Sequence, residues 1–328
     1  MWMLLAIALP MLAGGALAAW RPKDRTARQN FVVGSACLTA VCALAAVFTL
    51  RGEEPLVLLS MGEKLTIAFQ VDGLSCIFAA LVSVLWPLAS LYAVEYMSRE
   101  GSENRFFVFY LISFGVTLGI AFSANVLTMY LFYELLTLAT LPLVMHHMDG
   151  KARYAGRVYL TYSMCGAALG FIAMVLMIEH GAWFFQFGGS VTVTADKEST
   201  LRLAYILGFF GFGVKAAVFP GHKWLLRASV APTPVTALLH AVAVVKAGVF
   251  AVARITWYGF GPDLLRESWC QYLAMGAAMF TIVYASSKAL RTKHLKRRLA
   301  WSTVSNLSYI LLGIATLTTA GLIAGMVH

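Results

Sequence analysis

The chain carries few charged residues for its length. Only 12% of its 328 residues are Asp, Glu, Lys or Arg, whereas 60% are hydrophobic, and the mean hydropathy is +0.77. A soluble domain typically has about 25% charged residues, which it needs to cover its surface. The composition therefore argues against a soluble globular protein and indicates a protein that exposes apolar side chains to lipid.

Cysteine motifs and phosphate-binding loops are also lacking. The five cysteines lie in apolar stretches, and no two have a CxxC spacing. Such cysteines are typical of small packing residues, not of an iron–sulfur cluster, a zinc site or a disulfide framework. The chain has no Gly-rich phosphate loop and no nucleophile elbow. We therefore expect no cofactor, no metal and no catalytic site on this chain.

The chain does contain a series of long apolar runs. A run of about 18 or more apolar residues can cross a bilayer as a helix. Ten spans are predicted, and a further apolar stretch begins near Thr319: 2–20, 31–50, 73–97, 106–124, 126–146, 158–179, 201–220, 234–256, 268–287 and 299–318. The first is expected to be a retained helix, and alternating residues in 65–72 suggest a strand or hairpin. The predicted fold is all-α, a polytopic membrane protein with about 10–11 transmembrane helices.

The net charge of +10 is distributed unevenly between alternate connections. Most of the 25 Lys and Arg residues fall in the odd-numbered connections, such as the one that holds Arg21 and Lys23. The even-numbered connections and helix ends hold only Arg51, Lys64, Lys197, Arg202, Arg254 and Arg266. Basic residues are retained on the cytoplasmic side of a membrane protein. We therefore expect the N-terminus outside, and no binding of nucleic acid.

Two oppositely charged residues fall inside predicted spans. Glu134 lies near the middle of the fifth span, and Lys215 lies in the seventh. A charge inside a transmembrane helix is costly and indicates a functional site with a partner. The two residues are therefore candidate partners in proton transfer. The alternatives are a static ion pair, or a Lys215 side chain that extends to the cytoplasmic face.

A lysine and a histidine share the eighth span. Lys246 is central in this span, and His240 precedes it by six residues. On an ideal helix the two side chains lie on different faces, although water or a neighbouring helix could join them. Because histidine titrates near physiological pH, the pair is a candidate proton relay. The alternative for His240 is a neutral, hydrogen-bonded structural role.

Prolines cluster around the end of the seventh span. Pro220, Pro232 and Pro234 flank His222 there. Proline breaks helices, and a broken helix at membrane depth usually lines a water-filled cavity or ion path. A broken seventh helix with His222 at its entrance is predicted, with a basic interfacial belt as the alternative. Lys296, at the start of the tenth span, is either a further proton-transfer residue or a positive-inside anchor.

Five segments stand out as motifs in 71–305. In chain order they are Val71-Asp72-Gly73-Leu74-Ser75, Phe132-Tyr133-Glu134-Leu135-Leu136-Thr137-Leu138, Lys215-Ala216-Ala217-Val218-Phe219-Pro220-Gly221-His222-Lys223-Trp224-Leu225, Ala231-Pro232-Thr233-Pro234-Val235-Thr236-Ala237-Leu238-Leu239-His240 and Leu295-Lys296-Arg297-Arg298-Leu299-Ala300-Trp301-Ser302-Thr303-Val304-Ser305. They resemble motifs of the antiporter-like subunits of respiratory complex I, energy-converting membrane hydrogenases and Mrp-type Na⁺/H⁺ antiporters. The match is specific to this superfamily and much less specific to one member.

The resemblance implies two inverted repeats, each with a half-channel and one broken helix. One transmembrane domain is expected, with N-terminal helices in 1–105, the first half-channel repeat in 106–256, and the start of a second repeat in 257–328. By resemblance, Glu134 and Lys215 form the coupled pair of the first half-channel, and Lys246 with His240 form the central relay. The second repeat is expected to be cut short at His328.

The chain departs from the family pattern at three residues in two places. Leu226-Arg227 stands where the family has Pro-Asp, and His294 stands where it has Asp before Leu-Lys. The charge reversal at Arg227 is expected to change the cytoplasmic entrance or a contact with a neighbouring protein of the complex.

Three functions are compatible with these features. The first is a proton-translocating subunit of a redox-driven complex in the cell (plasma) inner membrane, with other membrane subunits as partners and redox cofactors only on those subunits. The second is a subunit of a multi-subunit Na⁺/H⁺ antiporter of the Mrp type, which would also involve Na⁺. The third is a non-conducting scaffold of a membrane arm.

Overall fold

The fold is known from a computed structural model, which describes residues 1–20, 22, 24–62, 65–194 and 196–328. Arg21, Lys23 and Lys64, which contribute to the charge distribution between connections, lie outside the described residues. The helices are α1 (Trp2–Trp20), α2 (Arg25–Thr49), α3 (Gly73–Met97), α4 (Glu103–Ala121), α5 (Val126–Val144), α6 (Gly150–Glu179), α7 (Glu198–Gly213), α8 (Lys223–Ala228), α9 (Thr233–Ala237), α10 (Val244–Arg254), α11 (Pro262–Leu265), α12 (Trp269–Arg291), α13 (Leu295–Ala315) and α14 (Thr319–Val327).

Two π-helical segments interrupt the eighth predicted span. π1 (Leu238–Val242) follows α9, and π2 (Ile255–Phe260) follows α10. Ala243, between π1 and α10, has φ −113° and ψ −75°, outside the regular helical range. The span therefore runs from Thr233 to Phe260 as a helix whose turn geometry changes twice.

The described residues contain eight helical segments with the length and apolar composition to cross a membrane. These are α1, α2, α3, α4, α5, α6, Thr233–Phe260 and α12. The prediction of an all-α polytopic membrane protein is confirmed. Two predicted spans, 201–220 and 299–318, are helical only in part and fall outside this set. The first contains α7, which ends at Gly213, and the second overlaps α13, which begins with a basic turn.

One short β-hairpin precedes α3, where a strand or hairpin was predicted. β1 (Leu56–Ser60) pairs antiparallel with β2 (Thr66–Phe69). The hairpin is joined to the start of α5, because the Ala68 N–H donates to Thr128 Oγ1 at 3.0 Å and the Asn125 amide donates to Thr66 O at 2.8 Å. The Asn125 side chain also caps α5. The hairpin therefore anchors α5, which carries Glu134.

Glycines allow α6 and α7 to pack closely. A methyl group added at Gly211 of α7 would lie 2.6 Å from the Gly170 nitrogen and 2.9 Å from the Gly166 carbonyl oxygen of α6. Small residues at such crossings let helix backbones approach each other in a membrane. Large apolar side chains on α2 and α3, among them Phe48 and Leu88, are exposed, as expected for a surface in contact with lipid.

Candidate functional site

The site is built around the break that follows α7. The chain leaves α7 at Gly213, and Ala217 adopts a left-handed conformation with φ +58°. Pro220 lies exposed in this turn, where its ring and missing N–H prevent a continuous helix. Trp224, in α8, donates from Nε1 to the Val214 carbonyl at 2.7 Å. The predicted break of the seventh helix is present. The Trp224 side chain satisfies one of the main-chain carbonyls that the break leaves without a helical partner.

Lys215 lies in this break and is fully buried. Its ammonium donates to the Tyr133 main-chain carbonyl and lies 3.4 Å from the centroid of the Tyr133 ring. The Tyr133 hydroxyl in turn donates to the Phe212 carbonyl at 2.9 Å. Tyr133 therefore holds the lysine with its backbone and its ring, and holds the end of α7 with its hydroxyl. The alternative of a lysine extended to the membrane surface does not fit this burial.

Glu134 is adjacent to Tyr133 on α5 and interacts electrostatically with Lys215. Their charged groups form no ion pair, since they are absent from the ion pairs within 4.0 Å that the described residues form. One carboxyl oxygen, Oε1, is buried without a hydrogen-bond partner among the described atoms. A buried unpaired oxygen of this kind can accept a proton, or a hydrogen bond from a water molecule.

Hydroxyl groups from α5 and α6 cluster around Tyr159, which lies within electrostatic range of the Glu134 carboxyl group. The Tyr159 hydroxyl lies 2.8 Å from Thr140 Oγ1 and interacts with the charge of Glu134. In the described part of the chain, Thr137 Oγ1 and Ser163 Oγ are also buried without a geometric hydrogen bond. The region beside Glu134 is therefore polar although the surrounding helices are apolar.

The approach of α10 to this break depends on one glycine. A methyl group at Gly248 would lie 2.7 Å from the Lys215 carbonyl carbon and 2.9 Å from Lys215 Cβ. No real side chain tolerates such distances to backbone atoms without displacing them. Gly248 thus sets how closely the Lys246 helix packs against Lys215.

His240 and Lys246 line one cavity of about 810 Å³ between α3, the π1–α10 segment, α13 and α14. His240 lies in π1, and its Nε2 is buried without a partner within the described structure. Thr303 and Asn306 of α13 contribute polar atoms to the same cavity. The wider turns of π1 change the angular relation that an ideal helix would impose on the two residues. Buried Pro232 and Pro234 begin this span, at the N-cap and first turn of α9.

His222 is buried at the end of the α7 break, in an aromatic environment. Its ring centroid lies 5.6 Å from that of Phe219, 5.5 Å from that of Tyr284 and 5.3 Å from that of Trp301. Neither ring nitrogen has a hydrogen-bond partner in the described residues. His222 therefore lies inside the helix bundle, not in an exposed basic belt.

Lys296 is not part of this group. It lies at the start of α13 and lines a separate pocket of about 820 Å³ with Lys151, Arg227 and Arg297. The structure therefore places Glu134 and Lys215 together, joins His240 and Lys246 through one cavity, and leaves Lys296 in basic surroundings elsewhere. The described residues contain no group of three His, Cys, Asp or Glu side chains suited to a metal ion.

A buried ion pair outside this group was not predicted. Arg254 is fully buried, pairs with Asp72 and donates to Ser75 Oγ at 2.8 Å. Its guanidinium carbon lies 4.8 Å from the centroid of the Tyr258 ring and 5.2 Å from that of the Phe250 ring. Burial acts to raise the pKa of Asp72, but the charge and hydrogen bond of Arg254 outweigh it, so this pKa is lowered. An arginine within an apolar run was the available signal.

Comparison with known families matches two parts of the chain. Residues 123–328 match the family model of the NADH:quinone oxidoreductase/Mrp antiporter transmembrane region. Residues 59–107 match the model of the N-terminus of chain 5 of NADH-ubiquinone oxidoreductase (complex I).

Two curated relatives extend this similarity. An Na⁺/H⁺ antiporter subunit from Alkalihalophilus pseudofirmus is 35% identical over 264 residues, which is 78% of this chain and 32% of the relative. A probable K⁺/H⁺ antiporter subunit from Rhizobium meliloti is 27% identical over 328 residues, which is 96% of this chain and 32% of the relative. The chain thus spans about a third of the length of the curated relatives that it matches.

Solved structures share the fold at low identity. A chain of the archaeal membrane-bound sulfane sulfur reductase aligns with TM-score 0.79 and 22% identity, covering 95% of this chain and 64% of that one. A chain of the Mrp complex from Dietzia sp. aligns with TM-score 0.85 and 22% identity, covering all of this chain and 36% of that one. The chain is a multi-pass membrane protein that belongs to the NADH:quinone oxidoreductase/Mrp antiporter transmembrane family.

Proposed function

We propose that this chain is a proton-translocating subunit of a multi-subunit complex in the cell (inner) membrane, with its N-terminus outside. The observation that carries the proposal is the placement of Lys215, fully buried in a helix break and within electrostatic reach of Glu134. A buried charge that forms no direct ion pair with another described residue is costly in a membrane. A role in proton transfer accounts for the presence of a charged Lys215 side chain at this buried position.

The geometry supports a coupling step between the two groups. Opposite charges favour each other's ionised form, so a change in their separation changes how tightly each group holds its proton. Lys215 is held by the Tyr133 carbonyl, a neutral acceptor, and not by the Glu134 carboxylate. Movement of the ammonium between these two acceptors would bind and release a proton.

The cavity beside α10 offers the continuation of this path. Lys246 and His240 both line it, and Gly248 brings the same helix against Lys215. We propose that protons pass from the Glu134–Lys215 pair to Lys246 and His240. A role for Lys296 in the path stays a prediction, because this residue lies in a separate pocket.

We propose exchange of protons against Na⁺ or K⁺ as the driving reaction. Support comes from the curated relatives, which are named as subunits of Na⁺/H⁺ and K⁺/H⁺ antiporters. The sequence motifs are shared by redox-driven complexes and Mrp-type antiporters, and an Mrp-type antiporter fits the comparisons at least as well. The redox-driven complex remains the second candidate, supported by the match to chain 5 of complex I and by the fold shared with the sulfane sulfur reductase.

Proteoliposomes that contain the purified complex can distinguish cation exchange from a redox reaction as the energy source. We expect a pulse of NaCl or KCl, without any electron donor, to move protons and change the signal of an internal pH dye. Choline chloride at the same concentration is the control for osmotic effects. Proton movement that appears only after addition of an electron donor would reject antiport in favour of the redox-driven complex.

The scaffold alternative makes a separate prediction. If the chain only completes a membrane arm, then Glu134, Lys215 and Lys246 can all be replaced by neutral residues without loss of ion coupling. We expect the triple neutral variant to assemble and to lose coupling. Retained coupling in the assembled variant would reject a conducting role.

A further inference from the structure

A basic pocket lies apart from the proposed proton path. It has a volume of about 820 Å³ and is formed by the start of α6, the end of α8 and the start of α13. Four cationic side chains line it: Lys151, Arg227, Lys296 and Arg297. The Arg227 guanidinium carbon is 5.6 Å from the centroid of the Tyr154 ring. The pocket therefore gathers positive charge from three helices that are distant in sequence.

No carboxylate balances this charge in the described structure. The lining contains no Asp or Glu, and none of the ion pairs formed by described residues includes these four cations. Asp149, next to the pocket residue Gly150, accepts from the Ala152 N–H at 2.6 Å and so caps α6. Three of these cations are exposed to solvent, which screens their repulsion, and an anion bound between the four would lower it further.

The start of α13 adds to the attraction for an anion. Its N-cap residue, His294, makes no side-chain capping hydrogen bond, and its first turn contains no acidic residue. The free N–H groups at a helix N-terminus attract negative charge and are suited to phosphate. Lys296 and Arg297 lie in this same turn. Backbone donors and cationic side chains therefore converge on one pocket.

The rim of the pocket is apolar. Leu295, Val230 and Tyr154 are exposed by 67%, 44% and 51%, respectively. A soluble phosphate would leave these side chains in water, whereas the acyl chains of a phospholipid would cover them. Basic pockets between transmembrane helices are suited to anionic head groups. We propose that this pocket binds the phosphate head group of an anionic phospholipid, with the acyl chains against the apolar rim.

Native mass spectrometry tests this assignment on the chain purified from its native membrane together with its accompanying subunits. The complex is delipidated and titrated with phosphatidylglycerol or with zwitterionic phosphatidylcholine. The pocket variant combines Arg227→Gln and Arg297→Gln. The matched control combines Lys288→Gln and Arg291→Gln, which removes the same charge from exposed positions at the end of α12, outside the pocket.

The complex is expected to retain phosphatidylglycerol in preference to phosphatidylcholine. Each basic side chain near an anionic membrane surface contributes about 1 kcal/mol, so the pocket variant should bind phosphatidylglycerol about 30-fold more weakly. The control variant should bind as the unmodified protein does. Equal lipid retention by the pocket and control variants would overturn the proposal.

Two further outcomes would reassign the pocket. Competition by millimolar inorganic phosphate, with no difference between the two lipids, would show a site for a soluble anion and overturn the lipid assignment. Dissociation of the accompanying subunits from the pocket variant, with lipid retention unchanged, would overturn it in favour of an acidic segment of a partner protein.

Discussion

Replacement of Gly248 by alanine would perturb the site without changing any charge. The added methyl group would lie 2.7 Å from the Lys215 carbonyl carbon and 2.9 Å from Lys215 Cβ. These atoms belong to, or are fixed by, the backbone, so α10 or the break after α7 must move. Overpacking of this kind costs about 1–3 kcal/mol. Alanine recovers up to about 1 kcal/mol of helix propensity over glycine.

The net expectation for Gly248→Ala is a loss of about 0–2 kcal/mol in the free energy of unfolding, together with reduced proton translocation. Reduced translocation follows because the displaced backbone carries Lys215 away from the Tyr133 carbonyl. The matched control is Gly276→Ala in α12, where a methyl group would meet nothing within 4 Å. This control is expected to be neutral or slightly stabilising, with normal translocation.

Thermal unfolding in detergent, followed by intrinsic fluorescence, measures the stability difference between the two variants. Vesicle pH measurements on the same preparations measure translocation. If Gly248→Ala unfolds at the same temperature as Gly276→Ala and translocates normally, then close packing of α10 on the break does not position Lys215.

Three further substitutions test individual contacts. Asp72→Asn leaves the buried charge of Arg254 uncompensated and should destabilise the protein by about 3–5 kcal/mol in detergent unfolding. Because the pKa of folded Asp72 is lowered below 3.8, the contribution of its ionised form to stability is complete above about pH 5 and is lost at lower pH. Thermal unfolding of Asp72→Asn should therefore lack part of the acid dependence of the unmodified protein, and identical pH profiles would contradict the ion pair. Trp224→Phe removes the hydrogen bond to Val214 and should lower the free energy of unfolding by about 1 kcal/mol in the same assay. Unchanged stability would contradict this expectation. Tyr133→Phe removes only the hydroxyl bond to the end of α7, so it should lower stability by a similar amount while the complex keeps measurable translocation; complete loss of translocation would indicate a direct role for the hydroxyl.

Most of the membrane fold could be predicted, because a transmembrane helix needs a long apolar run. Strand β2 also followed from the alternating residues in 65–72, whereas its partner β1 (Leu56–Ser60) lies outside that range and does not alternate. The length of α7 could not be obtained in this way, since the apolar composition continues through the break. The π-helical segments after Pro234 could not be predicted from the sequence either. Both π1 and π2 are apolar, and tertiary packing determines where a helix turn widens.

The charged residues of the site were visible because charge is rare in an apolar span, but their geometry was not. Glu134 and Lys215 do lie near each other, yet Lys215 contacts the Tyr133 carbonyl and not the carboxylate. A main-chain acceptor leaves no signature in the sequence. The apolar pattern puts Arg254 near a helix end, and its pairing with Asp72 across 182 residues depends on how the helices pack. The division of the chain into two repeats stays a prediction.

The most direct test of the proton path compares two glutamine substitutions in the assembled complex. Glu134→Gln removes the acidic group placed beside Lys215, and Glu179→Gln makes the same change at an exposed position at the end of α6. Cation-driven pH change is measured in vesicles with equal amounts of assembled complex. We predict that Glu134→Gln falls to the level of empty vesicles and that Glu179→Gln matches the unmodified protein. Normal translocation by Glu134→Gln would contradict the proposed path.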